Sequence, residues 1–173
     1  MRQLHASSKT SLNQVSAVYT QNLDRFEPGS VVLDYGGGRY DNNARFMREK
    51  RNVTVLVYDP YNRSDDHNRQ VLRRVSMRHP DYIVCSNVLN VIDDDAIIDS
   101  IIDDIKSYSD PTTKVMFKIY EGDRSGNGKE TKGGESWQRN QRTADYVPAI
   151  QRRFPNAKNK GGFITVNFNR RRA

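Results

Sequence analysis

Val31-Val32-Leu33-Asp34-Tyr35-Gly36-Gly37-Gly38 is the stretch that decides the fold. A short β-branched apolar run passes directly into a glycine turn, the pattern of a buried strand with a tight bend at its carboxyl end. Downstream, Asn42 to Lys50 has helical composition, and Val53 to Tyr58 reads as a second strand ending at Asp59-Pro60. Tyr82 to Cys85 is a third strand, Lys114 to Tyr120 a fourth, and Phe163 to Phe168 a last one. Between them, Ile97, Ile98, Ile101, Ile102, Ile105 and Tyr108 form one stripe of a helix over 93–108. The Asp93-Asp94-Asp95 run suits the positive end of its dipole.

Upstream of the decisive stretch, Leu12, Val15, Tyr19, Leu23 and Phe26 recur at spacings of three and four. They predict an amphipathic helix over 9–26, stopped by Pro28-Gly29. Residues 62–80 are polar and basic and predict only a weak strand or turn around Val71 to Val75. The glycine-rich segment 122–134 reads as a long flexible loop, and a helix follows from about Ala144 or Pro148 to Phe154. The alternation of strands and helices gives an α/β fold: a single-domain, doubly wound, mostly parallel sheet with helices on both faces. Its parts are an N-terminal helix (1–29), a cofactor-binding core (30–121), a flexible loop (122–143) and a basic C-terminal part (144–173).

The 173 residues suit one domain. Mean hydropathy is −0.85, polar for a globular chain, but the apolar residues are gathered into runs, which argues against disorder. One cysteine excludes an internal disulfide and a cysteine-rich zinc module. No apolar stretch nears the roughly 18 residues of a membrane span, and the N-terminus has no signal-peptide core. The expectation is a soluble protein of the reducing cytoplasm with no membrane partner. His5, His67 and His79 show no metal-ligand spacing, and no metal is assigned.

The net charge of +7 is unevenly spread. Residues 124–173 hold 12 Lys/Arg and 3 Asp/Glu, a net of +9, whereas residues 1–123 sum to −2. Such asymmetry points to a polyanionic partner. Arg139, Arg142, Arg152 and Arg153 are candidates to clamp a phosphate backbone, with Trp137 to stack a base. The bland alternative is a solubilising surface.

Chemistry is expected at the carboxyl ends of the strands. Close backbone approach to a ligand explains glycines at 36, 37 and 38. Asp59, twenty-one residues after Gly38, is placed to accept two hydrogen bonds from a ribose diol. A dinucleotide G-x-G-x-x-G is not met, because Asp41 stands at its sixth position and would face a pyrophosphate. Asp34, just before the glycines, suits a cationic ligand instead.

In this acid-x-Gly-x-Gly turn the chain resembles class I methyltransferases that use S-adenosylmethionine. That family carries the turn after its first strand and an acid at the end of its second, and Asp34, Gly36, Gly38 and Asp59 match. The resemblance implies S-adenosylmethionine as cofactor, with Asp34, Tyr35 and Gly36-Gly37-Gly38 at the methionine part and Asp59-Pro60 at the ribose. Asp81 to Leu89 is similar to the family's fourth strand, whose end faces the methyl group, which brings in Ser86 and Asn87. The match spans about residues 30–121. It departs at Tyr40, where many members have a third glycine, and in lacking a clear third strand with its acid, so the adenine contact is unassigned.

The acceptor is less legible. Ser86-Asn87-Val88-Leu89 lacks the prolines of amino-directed DNA methyltransferases, and Cys85, inside a strand, reads as a buried thiol rather than a nucleophile. Lys118 to Gly122 resembles one segment of the Lys-Asp-Lys-Glu set of RNA ribose 2′-hydroxyl methyltransferases. However, Asn87 stands at the aspartate position, and Lys160 rather than an acid precedes the last strand. Asn87, Lys118 and Glu121 are the catalytic candidates. The leading expectation is a methyltransferase acting on nucleic acid or a nucleotide. The alternatives are a non-catalytic cofactor- or nucleic-acid-binding protein with a methyltransferase-like fold, an RNA ribose 2′-O-methyltransferase, and a small-molecule methyltransferase. Oligomeric state is not legible.

Overall fold

A computed structural model of the chain describes residues 12–168. The branched run of the decisive stretch forms β1 (Val31–Tyr35), with Val32 and Leu33 wholly buried. Burial of each such side chain contributes roughly 1.5–3 kcal/mol. β2 (Thr54–Tyr58), β3 (Tyr82–Ser86) and β4 (Lys114–Lys118) run parallel to it. β8 (Phe163–Val166) pairs antiparallel with β4, and β7 (Lys158–Lys160) with β8. Among the described residues these six strands form one sheet in the order β2-β1-β3-β4-β8-β7. β5 (Lys129–Thr131) and β6 (Ser136–Gln138) form a separate hairpin.

Alternation along the strands divides the core between two faces. Leu33, Ile83 and Phe117 meet α3 (Asp65–Met77), α4 (Asp95–Ser107) and α5 (Val147–Gln151) on one side. Val32, Val84 and Met116 meet α2 (Asn42–Arg51) and the N-terminal segment on the other. The expected α/β architecture with helices on both faces is therefore the one observed, and Asp34 points to the α2 side.

Three local expectations are corrected. The N-terminal helix shrinks to α1 (Ala17–Thr20) and a 3-10 turn over Leu23–Arg25. Ser16 is extended because its N–H donates to Asn43 Oδ1 at 2.8 Å instead of to a helical carbonyl. Residues 9–11 of the expected helix lie outside the described residues, as does the basic end of the chain from residue 169 on. Where only a weak strand or turn around Val71 to Val75 is expected, residues 65–77 form the helix α3, whose Ser64 hydroxyl accepts from the His67 N–H as an N-cap. Segment 122–134 is no structureless loop. It turns into the β5–β6 hairpin, held by the Asn140 side chain, which accepts from the Asp123 N–H and donates to the Asn127 carbonyl. Among the described residues no helix is long and apolar enough to cross a membrane.

Candidate functional site

The chain order changes direction around β1: β2 lies on one side and β3 on the other. At such a switch point the loops leaving adjacent strands diverge and leave a hollow at their carboxyl ends. Here the hollow is a cavity of about 460 Å³. Asp34 and Asp59, the glycine turn, Pro60, Ser86 and Asn87 all line it, and so does Tyr35. Sequence reasoning thus placed nine residues that the fold brings together.

Asp34 is 2% exposed and accepts from Asn43 Nδ2 at 3.2 Å. Burial pushes its carboxyl up to about 6, against the pull of the neighbouring Tyr19 hydroxyl and the Asn43 amide. Among the described residues Asp34 has no ion-pair partner, only the more distant pull of Arg63; a buried unpaired carboxylate is costly, and a cationic ligand group relieves that cost. Asp59 is differently employed. Its Oδ2 accepts from the Gly38 N–H at 2.9 Å, and its Oδ1 from the N–H groups of Tyr61 and Asn62 at 2.9 and 3.0 Å. A carboxylate has about four acceptor positions, so about one remains for a ligand hydroxyl rather than two. Asn68 fixes the backbone of Asp59 from both sides.

The glycines also have a reason that sequence could not show. Gly36 has φ +78°, and a Cβ there would sit 2.4 Å from Val88 Cγ2. At Gly37 it would sit 2.7 Å from Asp34 Cγ. The turn is bare because the protein itself packs against it.

The fit to an adenosyl ligand rests on three further features. Asn62 lines the cavity, and its side-chain oxygen is buried and unpartnered among the described residues. Val88, Val91, Ile97 and Ile101 give an apolar wall for a purine. Leu12, Gln14 and Ser16 cross the opposite side, anchored where Ser16 Oγ meets Ser86 Oγ at 3.2 Å. Ser86 apart, none of these residues is expected at the site from sequence, where Leu12, Ile97 and Ile101 read only as helix-stripe residues. Asn62 lies two residues past the Asp59-Pro60 pair, and that proximity was the one available signal.

The catalytic candidates separate. Asn87 lines the cavity in a left-handed conformation (φ 57°), its N–H donating to the Lys118 carbonyl at 2.8 Å. Lys118 is not among the lining residues, and its Nζ lies 5.0 Å from the centroid of the Phe163 ring. Glu121 also lies outside. It accepts from the Thr143 N–H at 2.8 Å and pairs with Arg124 at 2.7 Å, and the Thr143 bonds foremost hold its carboxyl below the usual range. Burial pushes the Cys85 thiol up, as a structural thiol requires.

The basic C-terminal candidates are largely engaged within the chain. Arg139 donates to the Ile92 carbonyl at 2.9 Å and pairs with Asp95 at 2.5 Å. Arg152 pairs with Asp99 at 2.8 Å, and Arg153 with Asp103 at 2.6 Å and Asp99 at 3.3 Å. Asp95, Asp99 and Asp103 recur every fourth residue and form one stripe of α4. Trp137 is half-buried over Gly128, where a Cβ would fall 2.1 Å from the ring. The Arg142 N–H donates to Asp145.

Comparison with known proteins places this arrangement. The family model described as a methyltransferase domain matches residues 10–157. A TehB-like SAM-dependent methyltransferase from Corynebacterium glutamicum superposes with a TM-score of 0.50 at 16% identity, over 84% of this chain and 83% of that one. Phosphoethanolamine N-methyltransferase 2 of Haemonchus contortus, solved with phosphomonomethylethanolamine and S-adenosylhomocysteine, gives 0.49 at 16% identity. That match covers 79% of this chain but only 37% of the larger protein. At these identities the likeness is one of fold. No curated protein matches the chain in sequence.

Proposed function

This chain belongs to the methyltransferase-domain family of class I, S-adenosylmethionine-dependent enzymes, and from that premise we propose that it methylates a small neutral or cationic acceptor at an atom that carries a free lone pair. When bound, S-adenosylmethionine supplies a methyl group on a positively charged sulfur that is already a good leaving group. Asp34 offers its carboxylate to the cationic methionine end. Asp59 and Asn62 offer acceptors to the ribose. The wall of Val88, Val91, Ile97 and Ile101 excludes water from the purine side. Asn87 stands at the end of β3, where an acceptor is held against the methyl group. The protein's contribution is therefore positioning and desolvation.

One observation carries the acceptor class. Among the described residues lining the cavity there are two carboxylates and no lysine, arginine or histidine. A phosphate brought to these walls would meet only like charge, whereas an amine would meet opposite charge. No lysine or histidine of that set is available to take a proton, which favours acceptor atoms that carry a free lone pair at neutral pH, such as aromatic nitrogens; an ammonium reacts only after losing its proton to water or to a carboxylate.

A nucleic-acid acceptor is the second reading. It draws on the exposed basic edge strand β7, with Lys158 and Lys160, and on the charge asymmetry of the chain.

Calorimetric titration with S-adenosylhomocysteine tests the cofactor site. Tritiated S-adenosylmethionine, offered with a panel of amines and with DNA and RNA oligonucleotides, tests the acceptor. Label on amines is the expected result. Label on oligonucleotides alone favours the second reading, and binding without transfer to any class identifies a non-catalytic binding protein.

A further inference from the structure

Gly38 is gripped at both of its backbone polar groups by charged side chains of the next loop. Its N–H donates to Asp59, as described, and its carbonyl accepts from Arg63 Nε at 2.8 Å. The same guanidinium donates through NH2 to the Tyr40 carbonyl at 2.9 Å and through NH1 to Asp41 Oδ1 at 2.8 Å. The Arg63 side chain is 12% exposed, yet it does not line the cavity. Its own backbone is fixed: the Arg63 N–H donates to the Asp59 carbonyl at 3.1 Å, and the Arg63 carbonyl accepts from Asn68 Nδ2 at 3.4 Å. The near end of the turn is held separately, by the Gly36 and Gly37 N–H groups donating to the Tyr58 carbonyl at 2.7 and 3.3 Å.

We propose that Arg63 is a positioning residue for the cofactor: its planar guanidinium locks the far half of the glycine turn into the shape that receives the ligand, without touching the ligand. This rests on the reading of the cavity as the S-adenosylmethionine site.

The chemistry requires an arginine. Two carbonyls and a carboxylate are met at once by a rigid fork of donors, whereas a lysine ammonium is a single point on a flexible stem. The need for such a brace follows from the sequence. Gly38, at φ +83°, has, like its glycine neighbours, wide conformational freedom. Fixing one backbone residue costs about 1–2 kcal/mol, and a turn that is already fixed does not charge that cost to ligand binding. Tyr40 stands where the family pattern often has a third glycine, and its carbonyl is one of those Arg63 holds.

The test compares the wild type with Arg63→Gln, Arg63→Lys and Arg63→Gly by calorimetric titration with S-adenosylhomocysteine. Amide hydrogen exchange is followed in residues 36–41 without ligand. Both Arg63→Gln and Arg63→Lys are expected to weaken binding about tenfold and to speed exchange in that segment. Millimolar ethylguanidinium is expected to restore affinity to Arg63→Gly, and ethylammonium is not. A purely structural arginine would lower the denaturation midpoint of all three variants alike and give no guanidinium-specific rescue of affinity. Binding by Arg63→Lys within twofold of the wild type overturns the role while leaving the cofactor reading intact. No binding by the wild type removes the cofactor reading itself, and this role with it.

Discussion

The loops over 34–63 and the segment over 121–153 are both rich in charge, but they treat it in opposite ways. In the first, Asp34 is buried with no ion-pair partner among the described residues and accepts from Asn43, while Asp59 is held by backbone amides and Asn68. In the second, Arg139, Arg152 and Arg153 are paired with Asp95, Asp99 and Asp103 of α4. Excess charge in a sequence is therefore a poor guide to a binding site when the fold can set opposite stripes against each other. A charge left uncompensated beside a cavity is the better guide, because only a ligand relieves it.

The two regions should break differently when a methyl group is added to a glycine. Gly36→Ala puts a Cβ 2.4 Å from Val88 Cγ2 at a positive φ, so the substitution should cost about 2–4 kcal/mol in urea denaturation. Gly126 in the second region has a similar φ of +75° but open space around it, so Gly126→Ala should cost only about 1–2 kcal/mol. Equal losses would mean that the glycine turn is not packed as described.

Asp34 sharpens the contrast through pH. Its carboxyl stands at about 6, above the ordinary 3.8, so the fold disfavours its ionised form. Asp34 is proton-bound in the fold and ionised in the unfolded chain between about pH 4 and 6. Its contribution to stability is thus lost as pH rises through that window. Asp34→Asn should make the ligand-free protein about 1–3 kcal/mol more stable at pH 7 and nearly unchanged at pH 4. The same variant should weaken S-adenosylhomocysteine binding at least tenfold. A variant that loses stability at pH 7 would show that Asp34 is satisfied without ligand.

What sequence revealed follows the same divide. β1, β2, β3 and α4 were legible because each buries a continuous apolar run or stripe, and Asp34 and Asp59 because they end such strands. α3 was missed because its core face is only Asn68, Val71 and Val75 among charged neighbours, although the Ser64 cap was there to be read. The hairpin was missed for a different reason: β5 is wholly exposed, and the order of this region comes from distant side chains. Asn90 donates to Gln138 Oε1 at 3.1 Å, and Gln138 donates to the Tyr120 carbonyl at 3.0 Å, contacts that no local pattern encodes. Arg63 escaped for the same reason, since a polar loop residue shows its role only when the turn it holds is in view.

Arg139 tests whether the second region is structural. It ties β6 to the turn before α4 with its side chain 14% exposed. Arg139→Met should cost about 1–2 kcal/mol through the charge-assisted bonds it loses. Affinity for S-adenosylhomocysteine should fall no more than about threefold, because Arg139 reaches the cavity only through the carbonyl of one lining residue, Ile92, whose own N–H is tied to the Leu89 carbonyl. A large fall in affinity would show that the Arg139–Ile92 bond shapes the cavity wall.

The smallest effect is expected at Arg152, and it bears on nucleic acid most directly. Its pair with Asp99 is exposed on both sides, 55% and 35%, so Arg152→Ala should change stability by no more than about 0.5 kcal/mol. Salt should shrink even that change, because exposed pairs are screened over roughly 10 Å at 0.1 M. An arginine that contacts phosphate contributes about one unit to the slope of log affinity against log salt. If Arg152 serves to neutralise α4, removing it leaves that slope for an RNA or DNA oligonucleotide unchanged. A slope that falls by about one on Arg152→Ala would show that the α4 pairing gives way to a polyanion, and the two regions would then share a function rather than divide structure from chemistry.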